Sequence, residues 1–338
     1  MSPAVSIVMP VFNGERFLRD AVESVLAESF RDLELVVLDD GSTDATPEIL
    51  TEYASEDSRV RIHREEGETL AQTLNRCVGH CSAPLLARLD ADDVSIPGRL
   101  EDQVGFMEAN PQVALLGGQA ELIDEDGEAF GIAEYPTGDA DLRRALQTIN
   151  PFVHSAIVMR RSAFDAAGGY RASLPHAEDL DLWLRIAELG GLANLPGPVV
   201  RYRIHSAQQS FRKQREQAVH SMATQMASRA RAAGEPDPLE GAGRIDEDFL
   251  LVNGIEPLEI SEGIVKSACW LGRTSGRAGY AKTEEVLLAA AYEEARSETG
   301  SPALLATVHR SASRRHAERG HRLRAKLKAV QARMAERR

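Results

Sequence analysis

The sequence predicts an α/β protein whose core is a mostly parallel sheet flanked by helices. In the first 110 residues, short apolar segments alternate with longer segments in which apolar residues recur every three or four positions. This alternation is typical of strands joined by crossover helices, which place successive strands parallel to one another. Polar, turn-forming residues follow several of the strand-like segments, where connecting loops are expected.

The expected elements follow in chain order. Strands are predicted at residues 5–10, 34–38, 60–63, 85–89, 113–116, 155–159 and 199–204. Helices are predicted at 15–30, from Pro47 with Thr46 as the cap, and at 69–79, 99–109 and 179–189. Gly117 and Gly118 are expected to end the fifth strand. The polar segment 123–139 predicts an excursion or a hairpin at the surface.

Two regions of the chain differ in composition. Residues 1–211 carry the strand and helix patterns and are expected to form one domain, whereas residues 212–338 lack strand patterns and are predicted to be helical. Near the end of the chain, Leu323, Leu327, Val330 and Met334 recur at helical spacing among Arg and Lys residues. This basic amphipathic helix would lie on an anionic membrane surface, or pack against the body of the protein or a partner.

The formal net charge of −13 is unevenly distributed along the chain. Residues 309–338 contain eleven Lys and Arg against two Glu, a balance of +9 that leaves −22 for residues 1–308. The body is therefore expected to repel nucleic acid. No segment approaches the roughly 20 apolar residues that cross a bilayer, and no secretory signal pattern follows Met1. A cytoplasmic protein is expected, peripheral at the inner face of the membrane if the basic tail binds there.

The segment LDADD places three carboxylates, Asp90, Asp92 and Asp93, directly after a predicted strand. Carboxylates this close repel one another, so they must be solvated, partly protonated or neutralised by a cation. Hard divalent cations such as Mg²⁺ and Mn²⁺ prefer oxygen ligands of this kind. Asp is also common in turns and helix caps, so this segment alone leaves both interpretations open.

Two further acidic segments occupy comparable positions. LDDGSTD, with Asp39 and Asp40, follows the second predicted strand and could bind a nucleotide or merely form a turn before a helix. Glu178 and Asp179 begin a predicted helix, where they could interact with the helix dipole or supply a general base. Neither acidic loop contains the glycine pattern of a dinucleotide site or a P-loop.

Seven segments in a fixed order resemble family 2 of the glycosyltransferases, the inverting enzymes of GT-A fold. The segments span about residues 5–210: VSIVMPVFNGERFL, LVVLDDGSTD, GETLAQTLN, LLARLDADDVSIPGRLEDQ, HSAIVMRRSAFDAAGGYR, HAEDLDLWLRI and VVRYRIHSAQQS. The resemblance implies a nucleotide-diphosphate sugar donor and Mn²⁺ or Mg²⁺. It also implies a nucleotide-sugar-binding half at about 1–118 and an acceptor half at about 119–211.

The resemblance also implies roles for individual residues. The nucleotide pocket would include Pro10, Phe12, Asn13, Asp39 and Asp40. Arg88 and Asp90 would lie near the donor, Asp92 would hold the metal with Asp90 and His205, and His154 would lie near the donor and acceptor. Asp179 would be the catalytic base, in the pair that it forms with Glu178.

The predicted activity is therefore the transfer of one sugar, with a UDP-sugar as the first choice of donor, to a glycan or lipid-linked acceptor. The chain has no Gln-x-x-Arg-Trp segment of the kind found in processive synthases, so a non-processive enzyme is expected. A catalytically silent member of the same fold and a metal-dependent nucleotidyltransferase or phosphohydrolase are the alternatives. A homo-oligomer is compatible with the sequence.

Overall fold

The computed structural model describes residues 2–65, 69–205, 213–277, 287–288, 290–295, 303 and 305–308. These residues form two compact units, of which the first contains residues up to 203 and residues 224–240. The remaining described residues form the second. The boundary predicted near residue 211 stays a prediction, because residues 206–212 lie outside the described part. The predicted basic helix around residues 323–334 also lies outside it.

The first unit alternates strands and helices along most of its length. Its strands are β1 (Val5–Val11), β2 (Leu33–Asp39), β3 (Val60–Arg64), β4 (Leu85–Arg88), β5 (Val94–Ser95), β6 (Val113–Ile123), β7 (Ala129–Ala133), β8 (Val158–Arg160) and β9 (Gly191–Arg203). Its helices are α1 (Leu18–Leu26), α2 (Thr46–Glu56), α3 (Leu70–His80), α4 (Arg99–Ala109), α5 (Asp139–Leu146), α6 (Arg161–Ala167) and α7 (Glu178–Ala187), with a short 3₁₀ turn at His154–Ala156. The α/β prediction is confirmed.

The strands of the described chain join in one mixed sheet in the order β3-β2-β1-β4-β8-β6-β9-β5, with β7 paired to β6. Strands β3, β2, β1 and β4 are parallel, with Ile7 opposite Leu35 and Ala87. Strand β8 runs antiparallel to both of its neighbours, while β6 and β9 are parallel to each other. The parallel half brings the carboxyl ends of β1, β2 and β4 to one edge of the sheet.

Helices cover both faces of the sheet, as a buried parallel sheet requires. One apolar cluster joins the sheet to α1, α2 and α4 through residues such as Val22, Leu50 and Val104. The other joins the opposite face to α3 and α7 through residues such as Leu74 and Trp183. The residues flanking β4 are therefore held between two packed layers.

The prediction that Gly117 and Gly118 end the fifth strand is wrong, because β6 continues to Ile123. A Cβ atom at Gly117 would lie 2.1 Å from Oδ1 of Asn194, and one at Gly118 would lie 2.6 Å from a methyl group of Val199. The glycines thus permit close approach of β6 to β9. The polar segment that follows contains β7, which forms the predicted hairpin with β6.

The second unit is helical in its described part, with α9 (Glu247–Val252) and α10 (Pro257–Arg277). Helix α8 (Gln214–Ala232) begins in the second unit, and its residues from 224 onward belong to the first. Within the second unit, Glu294 pairs with Arg215 at 2.5 Å and accepts from the Ser261 hydroxyl at 2.8 Å. Among the described helices, none is both long and apolar enough to cross a membrane.

Candidate active site

The loops after β1 and β2 are bonded to each other through Asn13. This residue has φ = 50°, a left-handed conformation that Asn tolerates better than most residues. Its N–H donates to Oγ of Ser42 at 2.9 Å, and its Oδ1 accepts from the N–H of Thr43 at 2.9 Å. Thr46 does not cap α2 as predicted, since its hydroxyl oxygen accepts from the N–H of Gly14 at 2.8 Å. These hydrogen bonds therefore join the two loops into one rim.

Pro10 and Phe12 differ sharply in exposure although both are predicted nucleotide contacts. Pro10 is buried in β1 opposite Leu38, whereas the Phe12 side chain, directly after the strand, is 63% exposed. An aromatic ring presented to solvent beside a polar loop is available to stack on a planar ligand. Contact of either residue with a nucleotide stays a prediction.

Asp39 and Asp40 have different surroundings at the end of β2. Asp39 is buried, and its Oδ1 accepts from the N–H of Ser42 at 2.9 Å while its Oδ2 lies 3.6 Å from Nε of Arg64. Asp40 is half-buried, and its Oδ2 accepts from the hydroxyl of Thr73 at 2.8 Å. Asp39 closes the turn, and Asp40 is the more accessible acid of the pair.

The structure brings together the three acids that follow β4. One carboxylate oxygen each from Asp90, Asp92 and Asp93 lies within 4.8 Å of the others. Asp90 is held on both sides: Oδ1 accepts from Arg88 at 2.5 Å, and Oδ2 accepts from the hydroxyl of Ser155 at 2.8 Å. Although burial opposes the charged form, the Arg88 guanidinium and the Ser155 hydroxyl hold the pKa of Asp90 below its usual value.

Asp93 is fully buried and supports the loop from beneath. Its Oδ1 accepts from the N–H of Arg203 at 2.7 Å, and its Oδ2 has no hydrogen-bond partner among the described residues. Burial, reinforced by the charges of Asp92 and Asp90, raises its pKa well above the usual value. Asp93 is therefore a structural support of the loop.

Arg203 is a site residue that sequence reasoning missed, although it stands in the quoted segment VVRYRIHSAQQS. Its Nε donates to the carbonyl of Asp92 at 2.9 Å, and its Nη2 pairs with Asp20 of α1 at 2.9 Å. The guanidinium also lies 4.5 Å from the ring centroid of Phe17 and donates to the carbonyl of Glu125 at 3.1 Å. One buried side chain thus holds the acidic loop, α1 and the turn between β6 and β7.

Arg88 lies beneath the acidic loop with its side chain 1% exposed. Its Nε and Nη1 have no hydrogen-bond partner within the described chain, which is unusual for a buried guanidinium. Arg99 of α4 secures the same strand, because its Nη2 donates to the carbonyl of Arg88 at 2.9 Å. Two buried cations therefore lie close to the cluster of acids and moderate its negative charge.

Glu178 and Asp179 begin α7, as predicted for an acidic helix N-terminus. Asp179 is half-buried, and its Oδ1 accepts from the N–H of Leu180 at 2.7 Å while its Oδ2 accepts from Nδ2 of Asn150 at 2.6 Å. Burial raises the pKa of Asp179 to about 6, with a contribution from the charge of Asp90. Burial also raises the pKa of Glu178 well above its usual value, and the charge of Asp179 adds to this. Neither Asn150 nor its contact was anticipated from the sequence.

His154 lies in the 3₁₀ turn beside Ser155. Its Nε2 lies 3.0 Å from the hydroxyl of Tyr170, and its ring meets that of Trp183 edge-on at 5.7 Å. Burial, together with the charge of Arg88, lowers the pKa of His154 to about 3, so the imidazole is neutral at physiological pH. His154 is therefore a polar but uncharged part of an aromatic wall.

His205 is half-buried two residues beyond the end of β9, and it belongs to the second unit. Its role as a metal ligand stays a prediction.

The acidic loop fits a divalent cation on chemical grounds. It offers hard oxygen donors from Asp90 and Asp92 at compatible separations, and it crowds negative charge that a cation would neutralise. The buried Oδ2 of Asp93, which lacks a hydrogen-bond partner among the described residues, is a further oxygen in the same loop. Crowded acids, a half-buried carboxyl with a raised pKa and an exposed aromatic ring are features of an enzyme site.

Solved structures with this architecture show that the fold is of the GT-A type. A mannosyltransferase of Pyrobaculum calidifontis, solved with GDP-Man and Mn²⁺, has a TM-score of 0.55 at 18% identity, covering 91% of this chain and 86% of that one. Residues 1–349 of S. aureus TarS, solved with UDP-GlcNAc, have a TM-score of 0.54 at 16% identity, covering 92% and 88%. At these identities the likeness establishes the fold.

Sequence relatives establish the family. The family model described as "Glycosyl transferase family 2" matches residues 6–168 of this chain. The protein EpsE of Bacillus subtilis, named as a glycosyltransferase, is 38% identical over 192 residues, which cover 56% of this chain and 68% of EpsE. The O-antigen biosynthesis glycosyltransferase WbnJ of Escherichia coli is 31% identical over 206 residues, covering 60% and 80%. The chain belongs to glycosyl transferase family 2, and it is a glycosyltransferase.

Proposed function

We propose that the protein transfers one sugar from a nucleotide-diphosphate sugar to a hydroxyl group of a glycan or lipid-linked acceptor, by a single inverting displacement with Asp179 as general base. The observation that carries this proposal is the connection between two groups of acids. Asp90 belongs to the cluster after β4, and its charge also acts on Asp179 at the start of α7. This interaction supports the proposal that the cluster and the candidate base serve one site.

Asp179 is suited to accept a proton from an attacking hydroxyl. General bases are most effective when their pKa lies near the working pH, and burial brings the pKa of this carboxyl to about 6. Burial opposes the charged form of the neighbouring Glu178 and raises its pKa well above the usual value. Asp179, whose carboxylate accepts hydrogen bonds from the N–H of Leu180 and from Asn150, is therefore the member of the pair proposed as the base.

The residues after β4 are suited to the diphosphate end of the donor. Asp92 and Asp90 would hold Mn²⁺ or Mg²⁺, and His205 is proposed as a further ligand. When bound, such an ion supplies positive charge opposite the negative charge that develops on the departing diphosphate. Arg88 holds Asp90 in place through the contact at 2.5 Å.

The donor and acceptor are proposed from the same residues and from the relatives. Phe12, Asn13, Asp39 and Asp40 would bind the nucleoside, with Pro10 beneath them, and a UDP-sugar is the first choice. The solved neighbours carry UDP-GlcNAc in one case and GDP-Man in the other, so both nucleotides are to be tested. WbnJ is named for O-antigen biosynthesis, which favours a glycan or lipid-linked glycan as acceptor here. His154 would line the acceptor side.

A matched pair of variants tests the proposal. The release of nucleoside diphosphate is measured with UDP-GlcNAc or GDP-Man and Mn²⁺, with water or added glycans as acceptors. Asp179→Asn should lower the rate by about 10²–10⁴-fold, because the proton acceptor is lost. The control Glu108→Gln changes an exposed carboxylate on α4 and should leave the rate unchanged. Full activity of Asp179→Asn would contradict the proposal, and release of pyrophosphate or phosphate would favour the nucleotidyltransferase or phosphohydrolase alternative.

The basic tail is proposed to bring the enzyme to an anionic membrane surface at the cytoplasmic face. The support is the charge of +9 carried by residues 309–338, since basic segments bind anionic lipid at about 1 kcal/mol per residue near the surface. In sedimentation with vesicles containing phosphatidylglycerol, the full chain should be found in the pellet with the vesicles. A variant truncated after Val308 should stay in the supernatant. Equal binding of both would contradict this part of the proposal.

A further inference from the structure

The contact between Asn150 and Asp179 joins the segment after α5 to the start of α7. Nδ2 of Asn150 donates to Oδ2 of Asp179 at 2.6 Å, and the N–H of Leu180 occupies Oδ1 at 2.7 Å. Both oxygens of the candidate base therefore accept a hydrogen bond from the protein. The Leu180 bond comes from the helix itself, so Asn150 is the distant residue that sets the orientation of the carboxylate.

The amide of Asn150 is held so that its NH₂ group faces the acid. Oδ1 of Asn150 accepts from the N–H of Phe152 at 3.2 Å, which a flipped amide could not do. The intervening Pro151 is anchored as well, because its carbonyl accepts from Nδ2 of Asn194 at 3.1 Å. The donor that faces Asp179 is thus fixed by the backbone around it.

We propose that Asn150 is a positioning residue that selects Asp179, rather than Glu178, as the ionised carboxylate of the pair and holds it as the general base. This inference rests on the proposed function, in which Asp179 accepts the acceptor's proton. Hydrogen bonds donated to a carboxylate stabilise its charged form. Asp179 receives such a bond from Asn150, whereas among the described contacts no side chain donates one to Glu178.

Burial opposes the charged form of both acids, and several charged or titratable groups also surround them. Asp90, from the loop after β4, and Glu178 on the same helix both disfavour a further negative charge. Tyr170 is neutral because burial raises its pKa, and His154 is neutral because burial lowers its pKa to about 3. Arg88 is the nearby cation, and its charge favours ionisation of Glu178. Without Asn150, the Asp179 carboxylate would lose its side-chain donor.

Carbon-13 NMR of the full chain, labelled at the aspartate carboxyl carbon, tests the proposal without any substrate. The Asp179 signal is identified by its absence from Asp179→Asn, and its midpoint is expected near pH 6 in the unmodified protein. In Asn150→Ala the midpoint should rise by about one pH unit, because a donor to the charged form is lost. In Asn150→Asp, which can still accept the Phe152 N–H, a second carboxylate should raise it by about two units or more.

The pH dependence of nucleoside diphosphate release, measured from UDP-GlcNAc or GDP-Man with Mn²⁺, should shift together with the titration midpoint of Asp179. A base with a higher pKa is protonated over more of the acid range, so Asn150→Ala should be roughly fivefold slower at pH 6 and nearly normal at pH 8.5. The control Asn110→Ala removes another half-buried Asn, whose Nδ2 donates to the carbonyl of Phe106 at 2.9 Å. This control should leave the profile unchanged.

Two results would overturn the inference. One is an unchanged Asp179 midpoint in both folded Asn150 variants, and the other is an equal loss of rate at every pH, which indicates a purely structural role. Thermal unfolding confirms that each variant is folded, and Asn150→Asp keeps the shape of the side chain if Asn150→Ala does not fold. If Asp179→Asn keeps its activity, the proposed function fails. If Asp179→Asn is inactive while the NMR midpoint stays unchanged in the Asn150 variants, only the role of Asn150 fails.

Discussion

The backbone N–H of Arg203 donates to Oδ1 of Asp93 at 2.7 Å, joining the end of β9 to the acidic loop after β4 across 110 residues of sequence. The side chain of Arg203 adds a bond to the carbonyl of Asp92. Arg203 is thus hydrogen-bonded both to the buried side chain of Asp93 and to the backbone of Asp92. These bonds hold Asp92 in position although the charges of the neighbouring acids repel it. The geometry of the acidic cluster thus depends on the last strand of the sheet.

Replacement of Arg203 should destabilise the protein much more than replacement of its neighbour on the same strand. Arg203→Met removes charge-assisted bonds from a side chain that is 3% exposed, so the free energy of unfolding should fall by about 3 kcal/mol. Arg201→Met is the control, because Arg201 is 49% exposed and its pair with Glu121 should contribute less than about 1 kcal/mol. Urea denaturation measures both. Equal stabilities of the two variants would show that Arg203 does not anchor the loop.

Removal of the Asp92 carboxylate should weaken metal binding without unfolding the protein. Asp92→Asn keeps the size of the side chain but removes one negative oxygen ligand, so Mn²⁺ affinity in the presence of UDP should fall by about tenfold or more. Asp126→Asn, in the exposed turn between β6 and β7, is the matched control and should bind normally. Titration calorimetry or the electron paramagnetic resonance signal of free Mn²⁺ gives both affinities. Normal binding by Asp92→Asn would place the metal elsewhere.

The Phe12 ring should contribute to nucleotide affinity and little to stability. Phe12→Ala is expected to weaken UDP or GDP binding by about 1–3 kcal/mol, the usual contribution of an aromatic side chain stacked on a base. Because Phe12 is 63% exposed, the melting temperature should change little. Ile132→Ala, at a side chain that is 51% exposed on β7, controls for the loss of an exposed apolar group. Unchanged nucleotide affinity in Phe12→Ala would exclude the ring from the pocket.

The sequence predicted much of the fold because strand and helix periodicities are local properties. Helix α4 was predicted at its observed bounds of Arg99–Ala109, and the strands of the parallel half lie close to their predicted positions. The two glycines of β6 do not end the strand, and their sequence is ambiguous because Gly is typical both of turns and of places where backbones meet closely. Only the packing of β6 on β9, with Asn194 and Val199 against the glycines, distinguishes these cases.

Within the candidate site, the sequence by itself determined which acids follow which elements, and so placed Asp90, Asp92 and Asp179 at a strand end and a helix start. The tertiary structure decided which residues hold them, namely Ser155 for Asp90, Arg203 for the loop and Asn150 for Asp179. Those partners lie 65, 111 and 29 residues away from the groups they contact, beyond the reach of any local pattern. The tertiary structure also decides the protonation state of each acid, because a pKa depends on burial and on neighbours that only the folded chain brings together.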